Sequence, residues 1–302
     1  MDNLQDLYRR FQQVRRRSEE LCETLEIEDF VIQAIPDVSP PKWHLAHTTW
    51  FFETFLLSKY LWDYEPVCAE YGLLFNSYYN AVGPQWHRAS RGHLSRPTVS
   101  EVRDYRRQVD ESVQDLFDRI EDSHLLDFYF LMELGLNHEQ QHQELLLTDI
   151  KYNFAINPLR PALRESSGSV RPVASAELHW IDVSGGRYQV GQRNSGSFCF
   201  DNELPCFEVL LQDFRIASRL TTCAEYIEFI EEGGYETPQL WLSDGWDWVC
   251  RENCKAPLYW EQIEGSWGLM TLSGFREVLP SEPVCHVSHF EADAFATWAG
   301  KR

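Results

Sequence analysis

The sequence predicts two domains of different class: a four-helix bundle over residues 1–157 and, beyond a linker at 158–176, an α+β domain over 177–302. Three observations carry this expectation. Apolar residues in the first half recur at helical spacing between recognisable helix starts. Pro158, Pro161, Ser166, Ser167, Gly168, Ser169 and Pro172 give the intervening stretch the composition of a linker. After it, glycines, tryptophans and short β-type runs replace the long periodic segments. A length of 302 residues suits two domains of ordinary size.

The first helix is expected over about 4–25, with Leu4, Leu7, Phe11 and Val14 on one stripe. Pro40 and Pro41 open a second, since proline is favoured in a first helical turn, and it runs through Trp43, Ala46, His47, Trp50 and Phe51 to about 61. Residues 62–97 read as irregular, broken by Gly83-Pro84 and Arg96-Pro97. Thr98, with Glu101 three positions on, has the capping-box pattern and starts a third helix to about 120. A fourth is expected over about 125–154, which completes a bundle. Beyond the linker, 187–190 and 207–211 read as strands. A helix over about 222–232 stops at Gly233-Gly234, and a last one is expected over 292–299. The sequence ends two or three residues later, so the second domain is expected to stop short of completion.

Composition narrows the function classes. Residues 1–165 hold 17 basic and 27 acidic side chains and the rest 10 and 20, so each half contributes −10 to a net charge of −20. Neither half is a basic module, which argues against nucleic acid and against anionic lipid as partners. No run approaches the ~20 apolar residues of a membrane span, and the polar first 17 residues show no signal-peptide core. Eight scattered cysteines do not form a disulfide framework, and the expectation is a reduced, cytoplasmic protein in which Cys250 and Cys254 are structural. Eleven tryptophans point to large cores or aromatic-lined pockets.

The chemistry concentrates in histidines. His138 and His142 stand at i and i+4, so both imidazoles lie on one helix face, at a spacing that suits one metal ion. Leu131, Leu134 and Leu145 share that stripe, which is expected to face the core. His47 shares a face with Trp43, Trp50 and Phe51 and is the best third ligand, with His44 as its competitor or as a neighbour of the site. Two other schemes use the same residues. His138 to His142 matches the HExxH pattern, in which Glu139 would be the general base of a zinc peptidase. Glu144 would complete a two-histidine, one-carboxylate iron site, although i+2 points away from its neighbour on a helix.

Residues 71–100 contain no Asp or Glu, yet carry Arg88, Arg91, Arg96, His87 and His93. A positive island in an acidic protein suits an anionic small ligand, because arginine binds carboxylates bidentately. Those arginines would otherwise pair with acids on neighbouring helices. Asn76, Tyr78, Tyr79 and Trp86 either line the same pocket or order the long loop.

Several runs resemble one enzyme family. SPPKWHLAHTTW at 39–50, FNSYYN at 75–80, residues 91–97 and NHEQQHQE at 137–144 are similar to the iron(II) sulfoxide synthases of ergothioneine biosynthesis. So are FDNELP at 200–205, EGGY at 232–235, LWLSDGW at 240–246, APLYW at 256–260 and PVCHVSH at 283–289. The resemblance implies a DinB-like four-helix domain followed by a domain like the formylglycine-generating enzyme, of C-type-lectin character. It implies Fe(II) on His47, His138 and His142, with O2, trimethylhistidine (hercynine) and a cysteine-type thiol as substrates. The thiol-holding arginines of the family fall on Arg88 and Arg91, and a residue near the trimethylhistidine site falls on Gln141. The family's proton-donor tyrosine falls beyond residue 302. A fragment completed by another chain is therefore one expectation, and an inactive binding scaffold or a DinB-type metal-dependent thiol transferase are the alternatives.

Overall fold

A computed structural model describes residues 4–165, 175–193, 196 and 198–302. The chain divides into two compact units, Met1–Arg164 and Glu165–Arg302. Residues 166–174, about half of the stretch expected as a linker, lie outside the described residues, but Leu163 is buried and its carbonyl accepts a hydrogen bond from Thr24, which ties residues up to there to the first unit.

The first unit is built from α1 (Leu4–Glu20), α2 (Pro41–Phe52), α3 (Val99–Arg119) and α4 (Leu125–Ala155). α1 packs on α3 and α4, and α2 packs on the same two helices. α1 ends five residues sooner than expected, in a turn at 21–24. Pro41 occupies the first turn of α2 as the sequence predicts, and all 12 residues of this helix are buried. Its low amphipathicity follows from that position, because a helix surrounded on every side has no solvent face to make polar.

The second helix does extend to Tyr60, but not as one regular element. A π-turn, Glu53–Leu57, widens it before the helical stub Ser58–Tyr60. The buried Glu53 carboxylate in that turn accepts hydrogen bonds from Tyr64, Tyr105 and the Val67 amide. α3 starts with the predicted capping box: Thr98 accepts from the Glu101 amide at 3.2 Å, and Glu101 accepts from the Thr98 amide at 2.6 Å. Residues 62–97 are mostly irregular, with single helical turns at Tyr71–Leu74 and Arg88–His93.

One buried ion network joins all four helices. Glu139 of α4 accepts from Arg15 and Ser18 of α1 and from Arg106 of α3, at 2.6–3.0 Å. Arg15 also reaches Thr49 of α2 and Asp110 of α3, and Arg106 reaches the Leu45 carbonyl of α2. Burial alone would raise the Glu139 pKa, but the two guanidiniums outweigh it and hold it at about 2. Breaking one arm of such a buried network typically costs about 3–5 kcal/mol, because a charge is left without a partner.

The second unit is mixed. β1 (Trp180–Val183) pairs antiparallel with β4 (Phe214–Ala217), and β2 (Gly186–Val190) with β3 (Phe207–Leu211). β5 (Trp260–Ile263), β6 (Ser266–Thr271) and β7 (Gly274–Glu277) form a three-stranded meander. Three helices, α5 (Cys223–Glu231), α6 (Ser243–Glu252) and α7 (His289–Trp298), surround an aromatic core of Tyr226, Phe229, Tyr235 and Trp241. All eight cysteines are free thiols.

Candidate metal centre and anion pocket

α2 and α4 bring the three predicted histidines together. His47, His138 and His142 each offer one ring nitrogen, and these atoms lie within 4.8 Å of one another. His47 and His138 are buried and His142 is partly so. The i, i+4 spacing puts His138 and His142 on the same face of α4, and the close packing of α2 supplies the third ring. Gly135, one turn before His138, permits this approach. A Cβ there would stand 2.7 Å from the Phe52 ring and 3.0 Å from that of Phe51.

The rings are oriented from outside. His47 donates Nδ1–H to the Phe75 carbonyl at 2.5 Å, which leaves its Nε2 bare, 3.2 Å from Nε2 of His138. His142 meets His44 through their Nδ1 atoms at 2.9 Å, and His44 Nε2 meets the Asp149 carboxylate at 2.9 Å. His138 Nδ1 is buried without a hydrogen-bond partner.

Burial, the main cause in each case, pushes all three imidazoles towards the neutral form. His138 drops to about 4, while His47 and His142 fall well below the ordinary histidine value as their neighbours' charges add to the effect. Three converging neutral imidazoles, one with an orphaned ring nitrogen, make a donor set that fits a divalent transition metal with positions left open.

The cluster lies at a cavity of about 270 Å³ that is also lined by Ser39, Trp43, His44, Ser77, Tyr78, Tyr79, Arg88, Arg91, Gln141, Leu145 and Asp149. Arg91 is 5% exposed and lies flat over Trp43, its guanidinium carbon 3.4 Å from the ring centroid. It donates to the hydroxyls of Ser39 and Ser77 at 2.9 and 3.0 Å, and its Nε has no partner. Burial and the nearby charge of Arg88 lower its pKa to about 10. Arg88 is exposed at the rim, donating to the Tyr78 hydroxyl and the Asp37 carbonyl. Among the described residues neither arginine forms an ion pair with an acid, so both retain donors for an anion. Gln141 is exposed on the cavity wall.

Several expectations change. Leu145 does not pack into the core: it is 41% exposed and borders the cavity, because the histidine stripe of α4 opens into a pocket there. Glu139 cannot serve as the base of an HExxH peptidase, since its buried carboxylate is fully engaged with Arg15, Arg106 and Ser18. Glu144 is exposed and outside the cluster, which removes the two-histidine, one-carboxylate scheme. His44 lies outside the three-histidine cluster and meets His142 of the cluster through a hydrogen bond. Tyr78 and Tyr79 line the cavity, whereas Asn76 orders the loop by donating to the carbonyls of Tyr79, Gly83 and Pro84, and Trp86 donates to that of Ser90.

Sequence reasoning missed Asp149, Ser39 and Ser77. Asp149 had a signal: seven residues beyond His142 is two helical turns, so it falls on the histidine face. The two serines lie in the runs 39–50 and 75–80 that carry the family resemblance, but no periodicity pairs them with Arg91, because that pairing depends on loop geometry.

Comparison with known proteins accounts for both units. Residues 10–146 match the DinB superfamily, and residues 168–302 match the sulfatase-modifying factor enzyme 1-like domain. A hercynine oxygenase of Mycolicibacterium smegmatis is 31% identical over 270 residues, covering 88% of this chain and 59% of that protein. One of Mycobacterium tuberculosis is 31% identical over 289 residues, covering 92% of this chain and 64% of that protein. The inactive C-alpha-formylglycine-generating enzyme 2 of Bos taurus is 27% identical over 164 residues, 49% of this chain and 53% of that protein. The chain thus spans about half to two thirds of the length of the hercynine oxygenases it matches.

Proposed function

As the chain joins a DinB-superfamily region to a sulfatase-modifying-factor-like region and fits the hercynine oxygenase family, we propose that it takes part in an O2-dependent sulfoxide synthesis on hercynine, with Fe(II) held by His47, His138 and His142. The observation that carries this is the pairing of a neutral three-histidine cluster with a buried, acid-free guanidinium across one small cavity. Fe(II) bound there would supply electrons and open positions for O2 and the thiol sulfur. Overall, a thiol, an imidazole C–H and O2 give a carbon–sulfur sulfoxide and one water.

The side chains of this unit supply binding and orientation. Arg91, rigid on Trp43, and Arg88 at the rim hold the carboxylate of cysteine or γ-glutamylcysteine. Gln141 faces the trimethylhistidine. Tyr79, whose pKa burial raises, stays a neutral phenol against Trp50 and Phe55 on the cavity wall. We assign the reaction to the cytoplasm, where the free thiols of the chain remain reduced.

The test is O2 uptake by anaerobically iron-loaded protein given hercynine and either thiol, with mass spectrometry of the product. The expected product is a sulfoxide with the mass of the two substrates plus one oxygen less two hydrogens. Metal binding with no O2 uptake, together with conjugation of the thiol to an added electrophile, would favour a thiol transferase instead. His138→Ala and His142→Ala are expected to lose iron, and full occupancy in either would overturn the ligand assignment.

A further inference from the structure

We propose that His44 and Asp149 are positioning residues that lock His142 as its Nδ1–H tautomer and so present a bare Nε2 to the metal. This rests on the assignment of His142 as a ligand. The geometry runs in one direction. An ionised carboxylate only accepts hydrogen bonds, so at 2.9 Å from Asp149 Oδ2 the His44 Nε2 must carry a proton and donate it. The Nδ1 of His44 is then the acceptor that His142, ligating through Nε2, requires for its own Nδ1–H. That atom lies 2.9 Å from Nδ1 of His142, and two bare nitrogens at that distance would repel. His142 Nδ1 therefore carries the hydrogen, and its Nε2 is left with a lone pair.

The relay has a fixed anchor. Asp149 Oδ2 also accepts the backbone N–H of Ser39 at 2.8 Å, just ahead of α2, and His44 is 4% exposed. An unassisted histidine in water favours the opposite tautomer, with the hydrogen on Nε2, which cannot ligate through that atom. The carboxylate–imidazole–imidazole chain reverses the preference before any metal arrives. His47 reaches the same state by a different route, the Phe75 carbonyl. Partners of this kind orient metal-binding histidines, and losing one typically costs about 10- to 100-fold in affinity.

The experiment uses the full chain labelled with 15N-histidine, metal-free, with long-range 1H–15N correlation spectra to read each tautomer. His142 is assigned by the signals lost in His142→Ala. The wild type is expected to show His142 as the Nδ1–H form. His44→Phe, which fills the same space without an acceptor, should shift it to Nε2–H and weaken Fe(II) binding, measured anaerobically by chelator competition, by about 10- to 100-fold. His44→Gln, whose amide can accept from His142 and donate to Asp149, should retain the tautomer and most of the affinity. Asp149→Asn keeps an oxygen for Ser39 and should shift the tautomer only partway.

An Nε2–H His142 in the wild type, or a His44→Phe protein that binds iron as tightly as wild type, overturns the relay. So does rescue by Phe rather than Gln, which marks a packing role. If His142→Ala itself keeps wild-type affinity, the ligand assignment falls and the relay with it. If His142→Ala loses iron while the His44 and Asp149 variants do not, the ligand assignment stands and only the relay falls.

Discussion

Arg91 shows how its surroundings can prepare one residue to meet a ligand. Two serine hydroxyls and the Trp43 ring hold its planar group, yet none of them neutralises its charge. A carboxylate entering the cavity would find a donor already desolvated and oriented, so little conformational entropy remains to be lost. Arg91→Met is expected to raise the thiol half-saturation concentration about 10- to 100-fold, the worth of a charge-assisted hydrogen bond, while iron occupancy stays at the wild-type level. Steady-state kinetics with an iron assay on the same sample checks both; a fall in iron would move Arg91 into the metal centre. Spacing and local charge single out the three clustered histidines and Arg91 in the sequence, and the fold brings them to one cavity. Asp149 was not singled out: its place two turns beyond His142 marks the face it lies on, but its partner His44 is on another helix that only the fold brings near.

At the scale of elements, the distance between α2 and α4 sets how closely the three histidines approach, and Gly135 permits that distance. Gly135→Ala gains about 1 kcal/mol of helix propensity, but its methyl meets the Phe52 ring at 2.7 Å. Overpacking of this kind costs about 1–3 kcal/mol. The variant is expected to melt lower and to bind iron more weakly although it alters no ligand; unchanged affinity would show that the rings move aside without shifting the helices.

A second test concerns α5. Its N-terminal capping box uses Thr222 and Glu225, and Glu225 is held at about 2 chiefly by its hydrogen bond with Arg219. A carboxylate whose pKa is lowered on folding contributes stability above its ordinary value of 4.5 and loses it as the pH falls towards 2. Arg219→Met should therefore flatten the acid side of the melting profile of this unit between those limits, and an unaltered slope would count against the pair. The cap at Thr98 was legible because it is a local pattern, and Thr222 with Glu225 has the same spacing although it was not singled out. The π-turn after α2 was not legible, since Glu53 holds it through Tyr64, Val67 and Tyr105, whose positions only the tertiary fold defines.

For the whole molecule, the division of labour is uneven. Every residue of the three-histidine cluster, its supporting network and the cavity around it comes from the first unit. Residues 1–164 expressed alone are expected to bind iron with near-wild-type affinity, read by anaerobic titration; loss of binding in a folded fragment would assign the second unit a part in holding the site. The change of class between the two halves was legible from composition, as was the bundle. The pairing of β1 with β4 across two intervening strands was not, because short strands carry no partner label. The acid-free wall of residues 71–100, set in a chain of net charge −20, has a kinetic consequence. The long-range field attracts a divalent cation and repels a carboxylate, whereas the local field at Arg88 and Arg91 does the reverse over a few ångströms. Mobile ions at physiological strength damp the first beyond about 8 Å and barely touch the second. Raising ionic strength should thus slow the capture of the metal and hasten the arrival of the anion, so that the order in which the site fills depends on the medium.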